Sequence, residues 1–543
     1  MHTFQVILPF NHSEQEFRDA VRAAAGTEEV RILKRSIDAR QHRSIRVQYA
    51  LSTDLQDPAD ATRGLIAAQR VRVEALRSRL AQVGAALPRP VIVGSGPGGL
   101  FSALWLHRHG IAPVLVEQGP PMRERVRDMA RFMKKGELDP FSNISFGAGG
   151  AGTYSDGKLI TRIRSPYIAW VMSVFTEFGA PDDIRYVYNP HLGSNLIRQC
   201  ITRMLDRMEH DGVDVRYRTR LLDMEGAAQA PGRLRTSTGD ITDAAALFLA
   251  TGHSSRETYA LLRARDVAMD VKEFAMGLRI EHTARAINDM QYGAEHATRY
   301  PGIETAQYRL AHTWKDEQRA VYSFCMCPGG YVLNASTSTD GVITNGMSNS
   351  RKGGRFSNAA IVVNVSREDL AREGFTGVDA ALAMQMQFEE RFRAAVNPTG
   401  ACNVVPAQRL GDFLSGSRTR ALGAHSCVNP IASADLHALL PPFIAEALGR
   451  GISRFDRTMR GFSVQEDAQL FGLESRTSSP YRIERDPVHL TSPTHPWLYP
   501  VGEGAGHAGG ITSAAVDGIR CAQAWLARIG CAESELPSAS PSA

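Results

Sequence analysis

Hydrophobic and polar positions divide the chain into stretches with different periodicities. In the first stretch, the pattern predicts a strand, a helix and two more strands, at residues 4–10, 13–25, 29–37 and 44–51. The helix start carries a capping-box pattern, with Ser13 three residues before Glu16. A polar helix over 63–82 follows, so we expect residues 1–85 to form a small α+β module.

The second stretch, residues 90–117, combines compact apolar runs with a glycine-rich turn. An apolar strand leads into Gly94-x-Gly96-x-x-Gly99, a helix follows, and a second apolar strand ends at Glu117. A strand, a tight glycine turn and a helix in this order bring backbone N–H groups and the positive end of a helix dipole to one point. This arrangement binds the pyrophosphate of a dinucleotide.

Each residue type in this motif has a physical reason. Gly94 permits the tight turn, Gly96 lets the backbone approach a pyrophosphate, and Gly99 lets the helix pack closely on the sheet. A carboxylate at the tip of the second strand, here Glu117, can accept hydrogen bonds from ribose hydroxyl groups and repels a 2′-phosphate. The site therefore suits FAD or NAD, not NADP.

Two further segments place small residues after an apolar strand. Near the C-terminus, a short strand from Trp497 to Val501 leads into a glycine-rich loop and then into a helix that begins near Ile511 or Thr512. The dipole of such a helix amounts to about half a unit charge and can stabilise a negatively charged reduced flavin. The other segment, Leu247–Gly252, is an apolar strand that ends in Ala-Thr-Gly.

Taken in order, the three segments resemble the FAD fingerprints of the glutathione-reductase-like flavoprotein superfamily. The resemblance implies that strand 247–252 lies beneath the cofactor, that Glu503 binds near its ribityl chain or pyrophosphate, and that the glycine-rich loop 147–153 passes the isoalloxazine ring. Together with the glycine arguments above, it predicts these cofactor-binding residues: Gly94, Ser95, Gly96, Pro97, Gly98, Gly99, Glu117, Gln118, Gly149, Gly150, Gly152, Thr153, Thr251, Gly252, Gly502, Glu503, Gly509, Gly510, Ile511 and Thr512.

Longer segments resemble a narrower group, a bacterial family described as FAD-dependent dehydrogenases or NAD(P)/FAD-dependent oxidoreductases. The similarity covers nearly the whole chain and implies the fold and the cofactor, while the substrate stays unnamed. It is carried by FSNISFGAGGAGTYSDGKL (141–159), SFCMCPGGYV (323–332), NGMSNSRKGGRFSNAAIVV (345–363) and ESRTSSPYRI (474–483).

Residues 266–460 contain short runs in which hydrophobic and polar residues alternate, separated by Gly, Asn and Asp. This pattern predicts an antiparallel sheet. In the superfamily, such a sheet is inserted between the halves of the FAD domain. We therefore expect an α/β fold: a Rossmann-like FAD-binding domain with an inserted antiparallel β-rich substrate domain and the small N-terminal α+β module. The predicted boundaries are 1–85 for the module, 88–265 and 461–530 for the FAD-binding domain, 266–460 for the insertion and 531–543 for a disordered tail.

Side chains outside the glycine loops are candidates for chemistry. Lys158 is predicted either to stabilise a reduced flavin or orient a substrate, or to be a solvated surface lysine. Arg476, like the cations of SRKGGRF (350–356), either binds an anionic substrate or nicotinamide phosphate or is an exposed loop cation. His507, inside the C-terminal glycine loop, either donates a proton near the ring or only lines the loop.

The cysteines Cys325 and Cys327 allow two interpretations. Alternation along a strand points both thiols to one face. Their Cα atoms, two strand rises apart, are near the upper limit for a disulfide. This favours structural or pocket-lining thiols over a redox-active pair that delivers electrons to flavin. No spacing of His, Cys or carboxylate residues predicts a metal site.

Composition narrows the functional classes. The chain has 543 residues, of which 43% are hydrophobic and 22% charged, enough for a large core. No apolar run reaches the roughly 18 residues that span a bilayer, and the first residues lack a signal-peptide pattern. Seven cysteines without a CxxC pair indicate no disulfide framework. These features predict a cytoplasmic protein.

Charge gives no reason to expect nucleic acid as a partner, since 62 basic and 57 acidic residues leave a net charge of +5. The basic segment 31–46 is the exception. It lacks interleaved aromatic residues, which favours a solvated hairpin face over a nucleic-acid surface.

From the sequence we expect an FAD-dependent oxidoreductase that moves hydride or electrons between FAD and an unidentified small molecule or electron-transfer partner. Only residues 90–117 show the complete strand–glycine turn–helix–strand pattern. We therefore expect no separate nicotinamide domain, and NADH or NADPH would visit the flavin transiently as electron donor. Two alternatives stay open: a flavoprotein monooxygenase that uses NAD(P)H and oxygen, and a flavin-containing RNA-binding or RNA-modifying protein.

Overall fold

The computed structural model describes residues 3–227, 230–242, 244–398 and 401–533. Residues 534–543, most of the predicted disordered tail, lie outside the described residues. The strands are β1 Thr3–Pro9, β2 Arg31–Asp38, β3 Arg46–Ser52, β4 Arg89–Val93, β5 Val114–Val116, β6 Asp214–Arg216, β7 Leu221–Ala227, β8 Ala230–Thr236, β9 Gly239–Ile241, β10 Ala244–Leu249, β11 Met269–Val271, β12 Phe274–Thr283, β13 Ala311–Trp314, β14 Arg319–Cys327, β15 Tyr331–Asn334, β16 Thr344–Met347, β17 Phe356–Val365, β18 Val405–Arg409, β19 Ile431–Ser433, β20 Gln469–Glu474, β21 Tyr481–Ile483 and β22 Leu498–Pro500.

Helices cover the sheets and connect the strands. They are α1 Glu14–Ala25, α2 Pro58–Gln82, α3 Pro97–Arg108, α4 Met122–Lys135, α5 Tyr167–Glu177, α6 Gly193–His210, α7 Arg256–Ala264, α8 Ala284–Tyr292, α9 His296–Arg299, α10 Arg367–Arg372, α11 Ala380–Val396, α12 Leu410–Ser415, α13 Leu436–Leu439, α14 Pro442–Phe455 and α15 Ile511–Arg528. Within the described residues, no helix is both long and apolar enough to cross a membrane.

The N-terminal elements form the predicted α+β arrangement. β1, β3 and β2 make a three-stranded antiparallel sheet in that order, and α1 packs on it through the buried Val21. The capping box is confirmed, because the Ser13 hydroxyl accepts from the Glu16 backbone N–H while the Glu16 carboxylate accepts from the Ser13 backbone N–H. α2 begins at Pro58 and not at the predicted residue 63, since the Asp57 carboxylate caps the helix by accepting from Ala59 N–H.

A five-stranded parallel sheet, in the order β22-β10-β4-β5-β6, forms the second layer. β4, β5 and β10 are fully or largely buried and continuously apolar, as strands of a covered parallel sheet are. α3, α5, α6 and α15 share one apolar core against this sheet. The carboxyl ends of parallel strands lie at one edge, and ligands of open α/β sheets bind there.

A seven-stranded sheet, in the order β13-β14-β17-β12-β20-β18-β19, follows, and all its neighbours are antiparallel except β18 and β19. The chain leaves the parallel sheet after β10 and returns to it at β22. The antiparallel sheet predicted for residues 266–460 is present, but it also contains β20. The predicted boundary at 460 therefore does not coincide with the end of this sheet.

The sequence pattern misplaces β20 because all six of its residues are buried. Such a strand has no alternation and resembles a strand of a parallel sheet. The pattern also misses α11 and α14, which lie within 266–460; α11 packs on β18 and β20, and α14 packs on β12, β14 and β17.

We predict that α3 cannot tolerate a side chain at Gly99. A Cβ there would overlap the carbonyl oxygen of Gly94 and push α3 away from β4. The variant Gly99→Ala is expected to lose about 1–3 kcal/mol of unfolding free energy, measured by chemical denaturation followed by circular dichroism. In the control Gly64→Ala, the new Cβ on α2 meets open space, so its stability should be unchanged or slightly higher. Equal losses in both variants would contradict the close packing.

Candidate functional site

A cavity of about 1650 Å³ opens at the carboxyl ends of the parallel strands and continues along the antiparallel sheet. One wall contains the glycine loops that follow β4, β10 and β22. The opposite wall contains apolar and aromatic side chains of the antiparallel sheet, among them Phe274, Tyr322 and Phe324. The volume exceeds the 300–1,000 Å³ of common ligand pockets, so it has room for two ligands side by side.

The glycine turn after β4 adds no side chain to this wall at positions 94 and 96. Gly94 has a φ of +104°, and a Cβ there would overlap the Ala250 carbonyl group. Gly96 caps α3 without any side-chain hydrogen bond to the helix. The nearest atom to a Cβ on Gly96 is the Gly150 Cα, 3.9 Å away, so this position faces the cavity and not a packed neighbour.

The Glu117 carboxylate is buried and ties three backbone segments together. One oxygen accepts from the Ser95 backbone N–H at 3.0 Å and the Ser95 hydroxyl at 2.6 Å. The other accepts from the N–H groups of Gly119 at 2.9 Å and Gly147 at 3.2 Å. A carboxylate has about four acceptor positions, so a ribose hydroxyl would have to share Glu117 with these protein donors.

Arg125, which the sequence analysis misses, holds the glycine-rich loop in place. Its guanidinium is fully buried and donates to the carbonyl oxygens of Asn143, Ile144, Gly147, Ala148 and Gly150 and to the Thr153 hydroxyl. Burial lowers the pKa of Arg125 to about 10, so it stays charged at neutral pH. Arginine spacing on α4 gives no sequence signal for this role.

The C-terminal glycine loop leads into α15 at Ile511, as predicted. Gly510 caps the helix without a side-chain hydrogen bond, and it lines the cavity together with Gly509 and Ile511. Thr512 does not face the cavity: it is buried and donates its hydroxyl proton to the Leu159 carbonyl group at 2.6 Å. Two helix N-termini, those of α3 and α15, therefore border the same cavity.

Most predicted cofactor residues line the cavity, and the remainder lie directly behind it. The lining residues are Gly94, Gly96, Pro97, Gly98, Glu117, Gln118, Gly150, Gly152, Thr251, Gly252, Gly502, Glu503, Gly509, Gly510 and Ile511. The residues behind the wall are Ser95, Gly99, Gly149, Thr153 and Thr512. These five support the loops through packing or hydrogen bonds and are not part of the wall.

Glu503 lies in the cavity wall beside Lys272. Burial raises the pKa of Glu503 to about 7, although the charge of Lys272 acts in the opposite direction. Burial also lowers the pKa of Lys272. Glu503 can therefore take up or release a proton near neutral pH.

Lys158 is not a solvated surface lysine. Its ammonium group donates to the Asp156 carboxylate and to the Met326 carbonyl oxygen on β14. Burial disfavours the charge, but Asp156 raises the pKa of Lys158 above its ordinary value. Asp156 also accepts from His191 Nε2 at 2.9 Å. Lys158 thus carries a fixed positive charge at the junction of the two walls.

The guanidinium of Arg476 is bound by other side chains of the protein, so Arg476 is not an exposed loop cation. It binds the buried Glu389 carboxylate with two nitrogen atoms, at 3.0 and 2.9 Å, and donates to the Thr337 hydroxyl at 2.9 Å. Arg256 binds the same carboxylate. Burial opposes ionisation of Glu389, yet Arg476 and Arg256 lower its pKa to about 2. Arg256, which the sequence pattern does not single out, also lines the cavity.

His507 lines the cavity but is a poor proton donor. Its Nε2 lies 2.9 Å from the Ile483 carbonyl oxygen, which can only accept, so this nitrogen carries the proton. Burial lowers the pKa of His507 to about 4, which keeps the ring neutral at pH 7. The interpretation that His507 only lines the loop therefore fits its contacts better.

The other predicted cations lie away from the cavity. Within SRKGGRF, Lys352 pairs with Glu304 at 2.5 Å, and none of the cations in this segment lines the wall. In the basic segment 31–46, Arg40 pairs with Asp38 at 2.6 Å, and the Lys34 ammonium group lies 4.2 Å from the centroid of the Tyr188 ring. In the described part of the chain, no group of three or more His, Cys, Asp or Glu side chains could hold a metal ion.

We predict that Arg125→Met loosens the glycine-rich loop. The substitution leaves five carbonyl groups without their buried donor and is expected to cost roughly 3 kcal/mol or more of unfolding free energy. Arg127→Met, on the exposed side of the same helix, is the matched control and should change stability by less than about 0.5 kcal/mol. Limited proteolysis followed by mass spectrometry should find new cuts at 143–153 only in Arg125→Met. Wild-type resistance of that segment in Arg125→Met would contradict the role of Arg125.

Comparison with known proteins gives a relative that matches nearly the whole chain. An uncharacterised protein of Clostridium beijerinckii is 37% identical over 505 residues, which cover 91% of each chain. Residues 273–477 match a protein-family model described as FAD-dependent protein, C-terminal domain-like. Residues 1–53 match a domain of unknown function.

Solved structures show weaker likenesses. A flavin-dependent brominase has a TM-score of 0.36 and 11% identity, with 82% of each chain covered. The Diels-Alderase of the pyrroindomycin pathway has a TM-score of 0.35 and 14% identity, with 81% of this chain and 66% of the enzyme covered. CtdE in complex with FAD has a TM-score of 0.30 and 12% identity, with 80% and 82% covered.

These TM-scores are too low to establish a common fold, so the assignment depends on the sequence relatives. The C. beijerinckii protein matches along nearly the full length of both chains. The chain therefore belongs to the same family as this protein, and its residues 273–477 form a domain of the FAD-dependent protein C-terminal type.

Proposed function

We propose that the protein is an FAD-dependent oxidoreductase that holds FAD in the cavity between the parallel and antiparallel sheets. The observation that carries the proposal is the meeting of two helix N-termini without side-chain caps, those of α3 and α15, at one wall built mainly of glycine loops. Each offers backbone N–H groups and a positive dipole end to an anionic group. The match of residues 273–477 to a FAD-dependent domain supports the same cofactor.

The residues of this wall fit a dinucleotide. The open position at Gly96 leaves space for a pyrophosphate next to the N-terminus of α3. Gln118 and Glu117 would contact the ribose, with Glu117 shared among its protein donors. The N-terminus of α15 would face the flavin ring, and Glu503 would lie near the ribityl chain. This assignment gives α/β architecture of the Rossmann-like type with an inserted antiparallel domain.

Bound FAD would supply two-electron redox chemistry, and the protein would supply orientation and electrostatics. The α15 dipole and the ammonium group of Lys158 place positive charge at the cavity, where a reduced flavin carries its negative charge. Glu503 is in a position to exchange a proton there, since its pKa lies near 7. The apolar wall around Tyr322 and Phe324 would exclude water and receive a small organic substrate.

A monooxygenase is the second candidate. The observation in its favour is the size of the cavity, which leaves room beside a flavin for an organic substrate. The RNA-binding alternative has no such support, because the cations Arg40 and Lys34 of the basic segment have partners within the chain.

We predict that Gly96→Val yields folded, colourless protein. The new side chain meets no packed neighbour and projects into the space proposed for the pyrophosphate. FAD content after purification, measured as the ratio of absorbance at 450 and 280 nm, should fall at least tenfold while the circular dichroism spectrum stays that of the wild type. Gly64→Val, far from the cavity, is the control and should keep its flavin. A full flavin complement in Gly96→Val would overturn the placement of the cofactor.

Anaerobic mixing with NADH and, separately, NADPH distinguishes the candidate reactions. Rapid bleaching of the flavin absorbance by either nucleotide, followed by oxygen consumption that depends on an added organic substrate, would select the monooxygenase. The oxidoreductase proposal predicts reoxidation without such dependence. If neither nucleotide bleaches the flavin, the electron donor is an organic substrate or a protein.

A further inference from the structure

Cys325 and Cys327 do not lie on a regular strand. Cys325 has a φ of +49°, in the left-handed region that residues other than glycine rarely adopt. The pairing of β14 with β17 shifts register between Phe324 and Cys327. The expectation that alternation along an extended strand points both thiols to one face, with Cα atoms two strand rises apart, is therefore wrong. Such backbone strain is held by surrounding contacts and is common at functional sites.

The two thiols lie next to each other at the cavity wall. The Cys327 thiol donates to the Cys325 carbonyl oxygen at 3.3 Å, and each of the two thiols influences the pKa of the other. Cys325 is half-buried and lines the cavity, whereas Cys327 is fully buried behind it. One sulfur atom is thus accessible to a bound molecule, and the other is buried two residues further along the chain.

Fixed charges surround the pair. Lys158 donates to the carbonyl oxygen of Met326, between the cysteines, and Arg279 Nη1 lies 3.4 Å from the Cys325 carbonyl oxygen. Three carboxylates oppose these cations: Asp156 pairs with Lys158, Glu474 pairs with Arg279, and Glu503 also faces this region. The cations together with a hydrogen bond from Cys327 favour a thiolate at Cys325.

The two sulfur atoms consequently differ in acidity. The hydrogen bond from Cys327 and the charges of Lys158 and Arg279 lower the pKa of Cys325 to about 7. Burial raises the pKa of Cys327 well above its ordinary value. An accessible acidic thiol beside a buried resolving thiol is the arrangement found in redox-active cysteine pairs.

We propose that Cys325 and Cys327 form a reversible disulfide that exchanges two electrons with a flavin held in the cavity. Starting from the Cys325 thiolate and the Cys327 thiol, formation of the Sγ–Sγ bond breaks the one remaining S–H bond and releases two electrons and one proton. Bound FAD in its oxidised form would accept the two electrons and the proton, which gives the anionic reduced flavin. This inference rests on the proposed FAD binding, because the cavity that Cys325 lines is the one assigned to the cofactor.

Electron stoichiometry tests the proposal. Holoprotein is oxidised with ferricyanide, desalted and titrated anaerobically with dithionite while the flavin absorbance is followed. Wild type should consume four electrons per FAD, two for the flavin and two for the disulfide. Cys325→Ser and Cys327→Ser should each consume two, and Cys402→Ser, in which a buried cysteine away from the cavity is changed, should consume four. Two electrons per FAD in the wild type would overturn the inference and leave the FAD proposal intact.

Mass tagging provides the second readout and does not depend on flavin. Oxidised and reduced samples are denatured with a maleimide of known mass, and the peptide containing residues 325–327 is measured. It should carry no tag when oxidised and two tags when reduced; two tags in both states would overturn the disulfide. A disulfide in protein that binds no FAD would overturn both the flavin coupling and the proposed function.

The pH dependence of Cys325 alkylation tests whether the neighbouring cations act on the Cys325 thiol or only stabilise the structure. Alkylation of reduced Cys325 by iodoacetamide should be half-maximal near pH 7 in the wild type, and Lys158→Met should shift this midpoint upward. An unchanged midpoint in folded Lys158→Met would contradict the electrostatic part of the proposal.

Discussion

Two buried charges hold the cavity wall together. The Glu117 carboxylate binds Ser95, Gly119 and Gly147, and the Arg125 guanidinium binds the carbonyl groups of the loop that follows. Glycine loops have no side chains that could hold one loop at a fixed distance from the next. Hydrogen bonds to the side chains of Glu117 and Arg125 therefore set these distances. Both charges are fully partnered, which is the condition under which burial of a charge is tolerated.

These hydrogen bonds explain how the wall of glycine loops can have little side-chain volume and still keep a fixed shape. Glycine at positions 94 and 96 removes side-chain volume, while Glu117 and Arg125 compensate for the conformational freedom that glycine brings. The opposite wall differs, because it is built from aromatic side chains of the antiparallel sheet. Its charged side chains are paired with one another. Lys158 connects the two walls, because it follows the glycine-rich loop in sequence and binds β14 through the Met326 carbonyl oxygen. Under the proposed function, FAD would lie against the wall of glycine loops and an organic substrate against the aromatic wall.

Local features of the fold were predictable from the sequence, and non-local ones were not. The capping box at Ser13, the start of α15 and the glycine turn after β4 depend on residues close together in the chain, so their patterns are informative. Arg125 and Glu389 act on partners more than 17 residues away, which no spacing reveals. The left-handed backbone at Cys325 overrides the period of two that strand prediction assumes. The sequence also did not reveal which cations are buried. Lys158 and Arg476 are enclosed by the protein, although a solvated position was an open interpretation for both.

The account depends most directly on whether the cavity binds a whole dinucleotide. The decisive measurement is titration of flavin-free protein with FAD and, separately, with FMN, followed by quenching of flavin fluorescence. The account predicts saturation with one FAD per chain and at least 100-fold weaker binding of FMN, because FMN lacks the pyrophosphate link and adenosine that the α3 wall would hold. Equal affinity for both flavins, or no binding of FAD, would contradict it.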